Sequence, residues 1–298
     1  MILVLISALA HGAEDPLGPI ALAEGGTRLA RAQDLVCVVS NPGLLGLESH
    51  YRIGGFGQFG AQDRRGWGFT ALDSSTSEHY ALGLAYSGET YEPSLSDADL
   101  PGWTPQGKTP ANTKRFHDVT VSVGVPIAGR AFSAGAQVDW AMFDHDQQGR
   151  GSVADIGLGM AGRPLSWLTL GATASNLLEG DPLGTRPFRV GAGAQALWTY
   201  GGVSLDTSWS VPQDQPGIAM GVQLGNDEWR VHGGWSTDDL AHSSPTASAG
   251  LSYQAPTLAL AYGLAAPLAD QSPDAWTHML GIRIPMSTPS ADSPTRGF

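Results

Sequence analysis

The chain has 298 residues, of which 42% are hydrophobic and only 15% charged, and its formal net charge at pH 7 is −12. Ordinary soluble domains carry about 25% charged residues, and a chain with just two lysines, Lys108 and Lys114, has no basic stripe for phosphate recognition, so nucleic acid is not an expected partner. The single Cys37 excludes an internal disulfide and a cysteine-based zinc site.

At the N-terminus, MILVLISALAHGA has an apolar run from Ile2 to Leu9, with Ala8 and Ala10 at the spacing of a cleavage site. This pattern predicts a signal peptide over residues 1–13, although the positively charged start is missing. Next comes a segment whose most apolar part, VCVVSNPGLLGL (Val36 to Leu47), is broken by the turn-favouring Asn41-Pro42-Gly43. It is too short to span a membrane as a helix. Residues 14–47 are expected to form a hatch packed inside whatever follows.

From about residue 48 the sequence alternates between apolar and small or polar residues, the period of strands with two different faces. Tyr80, Leu82, Leu84 and Tyr86 point one way, Ala81, Gly83 and Ala85 the other; Val119, Val121, Val123 and Val125 alternate with Thr120, Ser122 and Gly124. Fourteen such segments can be counted, at roughly 50–59, 66–73, 79–87, 115–126, 131–143, 153–162, 166–177, 187–199, 202–210, 217–225, 228–236, 246–254, 257–265 and 275–285. Most have the length of a tilted transmembrane strand, and the links between them alternate between tight turns and longer stretches. Tight turns are expected at 128–130, 163–165, 200–201, 226–227 and 255–256, and longer links at 144–151, 178–186, 211–216, 237–245 and 266–274; the longest runs from Gly88 to Lys114. Tryptophans gather at the segment ends, as in the aromatic girdles of membrane barrels. The reading is an all-β, 14-stranded antiparallel transmembrane β-barrel over residues 48–286, in a bacterial outer membrane, with a polar disordered tail at 287–298.

On the non-lipid parity of these strands stand Arg52, Asp118, Asp139, Asp155, Arg189, Asp206, Arg230, His232 and Arg283. They are candidates to line the lumen, either bracing the barrel and gripping the hatch or forming a polar substrate path. His278 has lipid-face parity beside Trp276. No G-x-S-x-G, H-E-x-x-H, P-loop or C-x-x-C motif is present, so no catalytic residue, metal or cofactor is expected. Asp144-His145-Asp146 and the pair Asp97 and Asp99 read as solvated acidic loops.

One arrangement goes further. Gly26-Thr-Arg-Leu-Ala-Arg-Ala-Gln-Asp34 is followed by six mostly apolar residues and then by Asn41-Pro42-Gly43-Leu44. This resembles the N-terminal signature of FadL-type long-chain fatty-acid transporters and their PorV-like relatives. There, a Gly/Ala-rich helical stretch leads to an Asp, about six mostly apolar residues and then Asn-Pro-Ala-Gly-Leu. Asp34 and Asn41 keep the spacing, and Pro42 matches; Gly43-Leu44 compresses the end of the motif. Arg163-Pro164-Leu165-Ser166-Trp167-Leu168-Thr169-Leu170-Gly171, with Asn176-Leu177 after it, looks like the family's Pro-x-x-Trp-Leu-x-Leu-Gly turn-to-strand piece. The resemblance implies a barrel in outer-membrane lipid, plugged from the periplasmic side by the N-terminal segment, that binds and transports small hydrophobic, fatty-acid-like compounds. Arg52, Arg189, Arg230 and Arg283 would then meet a carboxylate head group. PorV-like relatives imply a second reading, a non-transporting partner of a secretion system or of surface proteins.

Overall fold

The computed structural model describes residues 18–60, 64–91, 114–145, 149–178, 187–211, 215–237, 245–269 and 275–285. The expected signal peptide, most of the Gly88–Lys114 link with Asp97 and Asp99, Asp146 and the tail lie outside them. The strands are β1 (Tyr51–Gly60), β2 (Arg64–Asp73), β3 (Ala81–Tyr91), β4 (Lys114–Ile127), β5 (Phe132–His145), β6 (Gly149–Leu165), β7 (Leu168–Ser175), β8 (Arg189–Trp198), β9 (Gly201–Ser210), β10 (Gln215–Gly225), β11 (Trp229–Thr237), β12 (Thr246–Gln254), β13 (Ala259–Pro267) and β14 (Thr277–Pro285). Each pairs antiparallel with its sequence neighbours, and β1 pairs with β14, so the sheet closes and has no edge.

Closure pairs each strand with a neighbour on both sides, which is the condition for crossing a bilayer with strands; the outer half of β6 rises beyond its register with β7, which begins at Leu158 and Ala174. Side-chain alternation does the rest. Leu82, Leu84, Val121, Val138, Leu158, Met160, Val203, Leu205, Leu280 and Ile282 all stand on the outer face and are exposed. So large an apolar belt would be a liability in water and is the buried face in lipid. Trp67, Trp140 and Trp209 frame it at one rim, and Trp167, Trp198, Tyr200 and Trp229 at the other. Among the described residues, no helix is long and apolar enough to cross a membrane; the strands do so.

The strands are inclined to the barrel axis. A row of register partners starts at Tyr51 and runs through Asp73, Leu82, Val123, Ala136, Leu158, Ala174 and Val190 to Trp209. It begins at the tight-turn end of β1 and finishes at the opposite end of β9. Tight turns mark the periplasmic rim of such barrels, so rows climb outward from β1 toward β9.

Two expectations about links need correction. Arg163-Pro164-Leu165 is not a turn: it continues β6, with the register shifting between Gly162 and Leu165, and the turn is Ser166-Trp167. Pro164 has no N–H for the ladder, so the strand bulges there without ending. The link expected at 144–151 is largely strand, because β5 reaches His145 and β6 starts at Gly149. Gly149-Arg-Gly-Ser offers no apolar alternation, and periodicity alone had nothing to register.

Candidate functional site

Residues 18–47 lie inside the barrel. They form a one-turn helix α1 (Pro19–Ala23), a second, α2 (Cys37–Ser40), and a 3-10 turn (Pro42–Leu47). Pro19 sits at the first turn of α1, where its missing N–H is harmless. The segment's apolar side chains, Val38, Leu44, Leu45 and Leu47 among them, are buried together with Leu72, Ala81 and Ala85 of the wall. α1 packs on β12 and β13, and the 3-10 turn packs on β4, β5 and β6. The wall admits this segment because it presents glycine where the two backbones approach. A Cβ on Gly135 would come 2.5 Å from the Pro42 carbonyl, and one on Gly250 would come 2.5 Å from Ala23 Cβ.

Polar ties hold the segment at several points. At the first, Glu24 and Arg31 pair within the segment and are both buried. His232 of β11 donates from Nδ1 to Glu24 Oε1 at 2.7 Å, and its Nε2 meets Ser252 Oγ at 2.8 Å. Ser204 of β9 donates to Glu24 Oε2 at 3.0 Å. Burial alone would push the Glu24 carboxyl up; the Arg31 charge, then His232 and Ser204, outweigh it and hold it at about 2. At the second, Asp206 of β9 accepts from the backbone N–H groups of Arg28 (2.5 Å) and Leu29 (2.8 Å). At the third, Asn41 donates to Leu29 O (2.8 Å) and Met160 O (3.3 Å), and accepts from Gly43 N (3.0 Å), capping the 3-10 turn. Ser122 and Gln137 donate to the carbonyls of Val38 (2.6 Å) and Val39 (3.3 Å).

The segment's exit to β1 is held from the periplasmic rim. Arg163 pairs with Glu48 at 2.6 Å. Arg130, in the β4–β5 turn, donates to the carbonyls of Glu48 (2.7 Å) and Ser74 (2.9 Å). The Glu48 carboxyl also stands at about 2: burial raises it, and His50, Arg163 and Arg52 lower it further than that.

Beside the segment lies a cavity of about 370 Å³. Pro19, Ile20, Leu35, Val36 and Val39 form its apolar side; Arg52, Arg230, His232, Gln254 and Arg283 come from the wall. Arg52 and Arg283 both donate to the Gln33 carbonyl, at 2.7 and 2.9 Å. Asp34 also borders the cavity and lies 3.9 Å from Arg31.

The structure therefore divides the residues singled out in the sequence. Arg52, Arg230, His232 and Arg283 share one cavity with Asp34. Asp206, Asn41, Pro42 and Gly43 belong to the contact between segment and wall. Asp139 accepts from Thr120 (2.6 Å) and Gln137 (2.8 Å) within the wall, and Asp118 faces inward on β4. Buried Asp155 accepts from the Leu178 N–H at 3.0 Å and pins the start of the β7–β8 link. Arg189 also faces inward, but at the far end of β8, away from the cavity. Asp144 pairs with Arg150 at 3.1 Å. Sequence reasoning missed Glu24, Arg31, Arg130 and Arg163. The signal available for the first two was a carboxylate and a guanidinium in an otherwise small-residue, apolar stretch.

A closed 14-stranded barrel with an apolar outer belt and a chain segment packed in its lumen defines a transmembrane barrel of the outer-membrane type, and its fold bears out the FadL-type resemblance. The comparisons agree in fold. The chain superposes on the "CymD monoaromatic hydrocarbon channel" with a TM-score of 0.64 at 12% identity, covering 91% of this chain and 98% of that one. The toluene transporter TbuX of Ralstonia pickettii gives 0.62 at 13% identity over 90% and 98% of the two chains. The toluene transporter TodX of Pseudomonas putida gives 0.64 at 11% over 91% and 96%. No protein-family model and no curated protein sequence matches the chain.

Proposed function

We propose that this protein is an outer-membrane channel through which small hydrophobic compounds pass, with residues 14–47 serving as the hatch of the barrel at 48–286. The observation that carries this reading is the cavity between inner segment and wall. Its volume of about 370 Å³ suits a single-ring or short-chain compound. One side is apolar, the wall side carries Arg52, Arg230 and Arg283, and the segment that borders it is held by discrete ties. The solved barrels of like fold are named for monoaromatic hydrocarbons and toluene, which supports a ligand of this size class.

Passage requires the segment to move. Val38 lies against Gly83, where an added Cβ would come 2.8 Å from Val38 Cγ1. Cysteines at these two positions, on a Cys37→Ala background, therefore stand within disulfide reach. Toluene uptake into cells lacking the gene should be restored by the wild type and by the reduced double-cysteine variant. The oxidised variant should not restore it. Uptake that is equal with the disulfide formed and broken would sink the hatch reading. Equal uptake with and without the protein, across a panel of hydrophobic compounds, would sink transport altogether.

A further inference from the structure

The outer face of the barrel carries its own charged feature. Arg65 of β2 pairs in register with Thr90 of β3, Thr90 with Arg115 of β4, Arg115 with Asp144 of β5, and Asp144 with Arg150 of β6. All five share outward parity, and Arg65, Arg115 and Arg150 are exposed. Arg150 is partly compensated by Asp144 at 3.1 Å; Arg65 and Arg115 make no ion pair with a carboxylate of the described residues. Across β7 to β13, the outer face of the same rim holds Val190, Trp209, Met220, Trp235 and Ala247, with no Arg or Lys among the described residues. The cations are gathered on one side.

The level below this row is built for a membrane interface. Trp67 packs on Tyr86 with ring centroids 5.0 Å apart, and the Tyr86 hydroxyl meets His117 Nδ1 at 2.8 Å. His117 shares the outward parity of Arg115 on the same strand. Aromatic rings of this kind mark the boundary between hydrocarbon and headgroups. The arginines start at that boundary and climb. Strands about 4.8 Å apart, tilted about 40°, raise each second strand by roughly 6 Å along the row. Arg150 thus stands roughly 12 Å farther out than Arg65.

We propose that this face is a binding site for the phosphorylated glycolipid of the outer leaflet. Its acyl chains would lie on the apolar wall of β2 to β6, and its phosphates would meet Arg65, Arg115 and His117. Anions farther out in its sugar core would reach Arg150. A phospholipid offers one phosphate at one depth and cannot engage a ladder that rises through the headgroup layer. Guanidinium groups suit phosphate because their forked donors match its oxygens. The inference rests on the outer-membrane placement and not on the transport reading, so the two can fail separately.

The test is native mass spectrometry of the full-length protein, purified folded in detergent and titrated with rough lipopolysaccharide. The same lipid after enzymatic dephosphorylation, and phosphatidylglycerol, serve as comparators. Wild type should bind one rough lipopolysaccharide at least about ten-fold more tightly than either comparator, given what each cation near an anionic lipid contributes. The combined Arg65→Gln, Arg115→Gln and Arg150→Gln variant should lose that preference. Equal retention by wild type and variant overturns the proposal, as does equal affinity for the phosphorylated and dephosphorylated lipids or for phosphatidylglycerol. If the triple variant does not fold, the wild-type comparison between the two forms of the lipid and the single Arg115→Gln variant decide the matter.

Discussion

Glu24 is buried between two cationic or protonatable partners, one from its own segment and one from the wall. Removing its charge strands Arg31, whose only other ion pair among the described residues is with Asp34, 3.9 Å away. Breaking one side of a buried pair costs about 3–5 kcal/mol, so Glu24→Gln should loosen residues 18–47 while the barrel stays folded. Limited proteolysis of the folded variant, with new cleavage near Arg28 and Arg31, is the measurement. Asn41 poses the same question without charge. Asn41→Ala leaves the Leu29 carbonyl and the Gly43 N–H unpaired in a dry site, at about 1–3 kcal/mol for each buried group left unsatisfied. Its cleavage pattern should match that of Glu24→Gln. An Asn41→Ala protein that resists protease as well as wild type would show that the cap is dispensable. In the sequence, Asn41 was visible through its turn context and motif spacing; Glu24 was not, because its two partners on the wall, Ser204 and His232, lie 180 or more residues away.

At the level of elements, the strands were the most legible part of the chain. A period of two, kept over many short segments, is a direct consequence of having lipid on one face and a crowded lumen on the other. It fixed which residues face inward before any contact was known. What it could not give was the depth of each inward residue, since parity says nothing of position along the axis. That is why Arg189 was grouped with Arg52, Arg230 and Arg283, although it stands at the opposite end. Nor could periodicity reveal the work of the turns. The β4–β5 turn holds Ala128, Gly129 and Arg130 at positive φ, which aims Arg130 back across the rim. Its two terminal nitrogens bridge the inner segment's exit and the β2–β3 link. A lysine keeps the charge but not the fork. Arg130→Lys should therefore increase protease cleavage around Glu48 without altering the heat-modifiable mobility of the barrel on gels.

For the whole molecule, two stabilities are superposed: a closed hydrogen-bonded wall, and a segment held inside it by ties that include two titrating carboxylates. Both Glu24 and Glu48 are depressed from 4.5 to about 2. A depressed carboxyl stabilises the folded arrangement above the unfolded pKa, and this contribution is lost as pH falls through the folded one. The segment should thus loosen between about pH 4.5 and pH 2, while the backbone ladder of the wall is indifferent to protons. Cys37 reports this directly, being the only cysteine, buried, with burial foremost in raising its thiol to about 12. Its reaction with a dipyridyl disulfide, which stays reactive in acid, should be slow at pH 7 and accelerate below pH 4.5. Throughout, circular dichroism should still report an intact barrel. A rate that does not change with pH would show that the carboxylates do not govern the segment.

The glycines of the wall have a consequence for how such a protein can change over generations. Gly83, Gly135, Gly250 and Gly281 are spaced along the path of residues 18–47 like the inside of a mould. Neither half is free to vary alone. A bulkier side chain on the segment needs a matching hollow on a distant strand, and a methyl gained on the wall needs a retreat in the segment. A barrel given the N-terminal piece of a foreign relative should still close, yet leave that piece unseated. Lineages of this fold should therefore exchange outer loops far more readily than they exchange their cores.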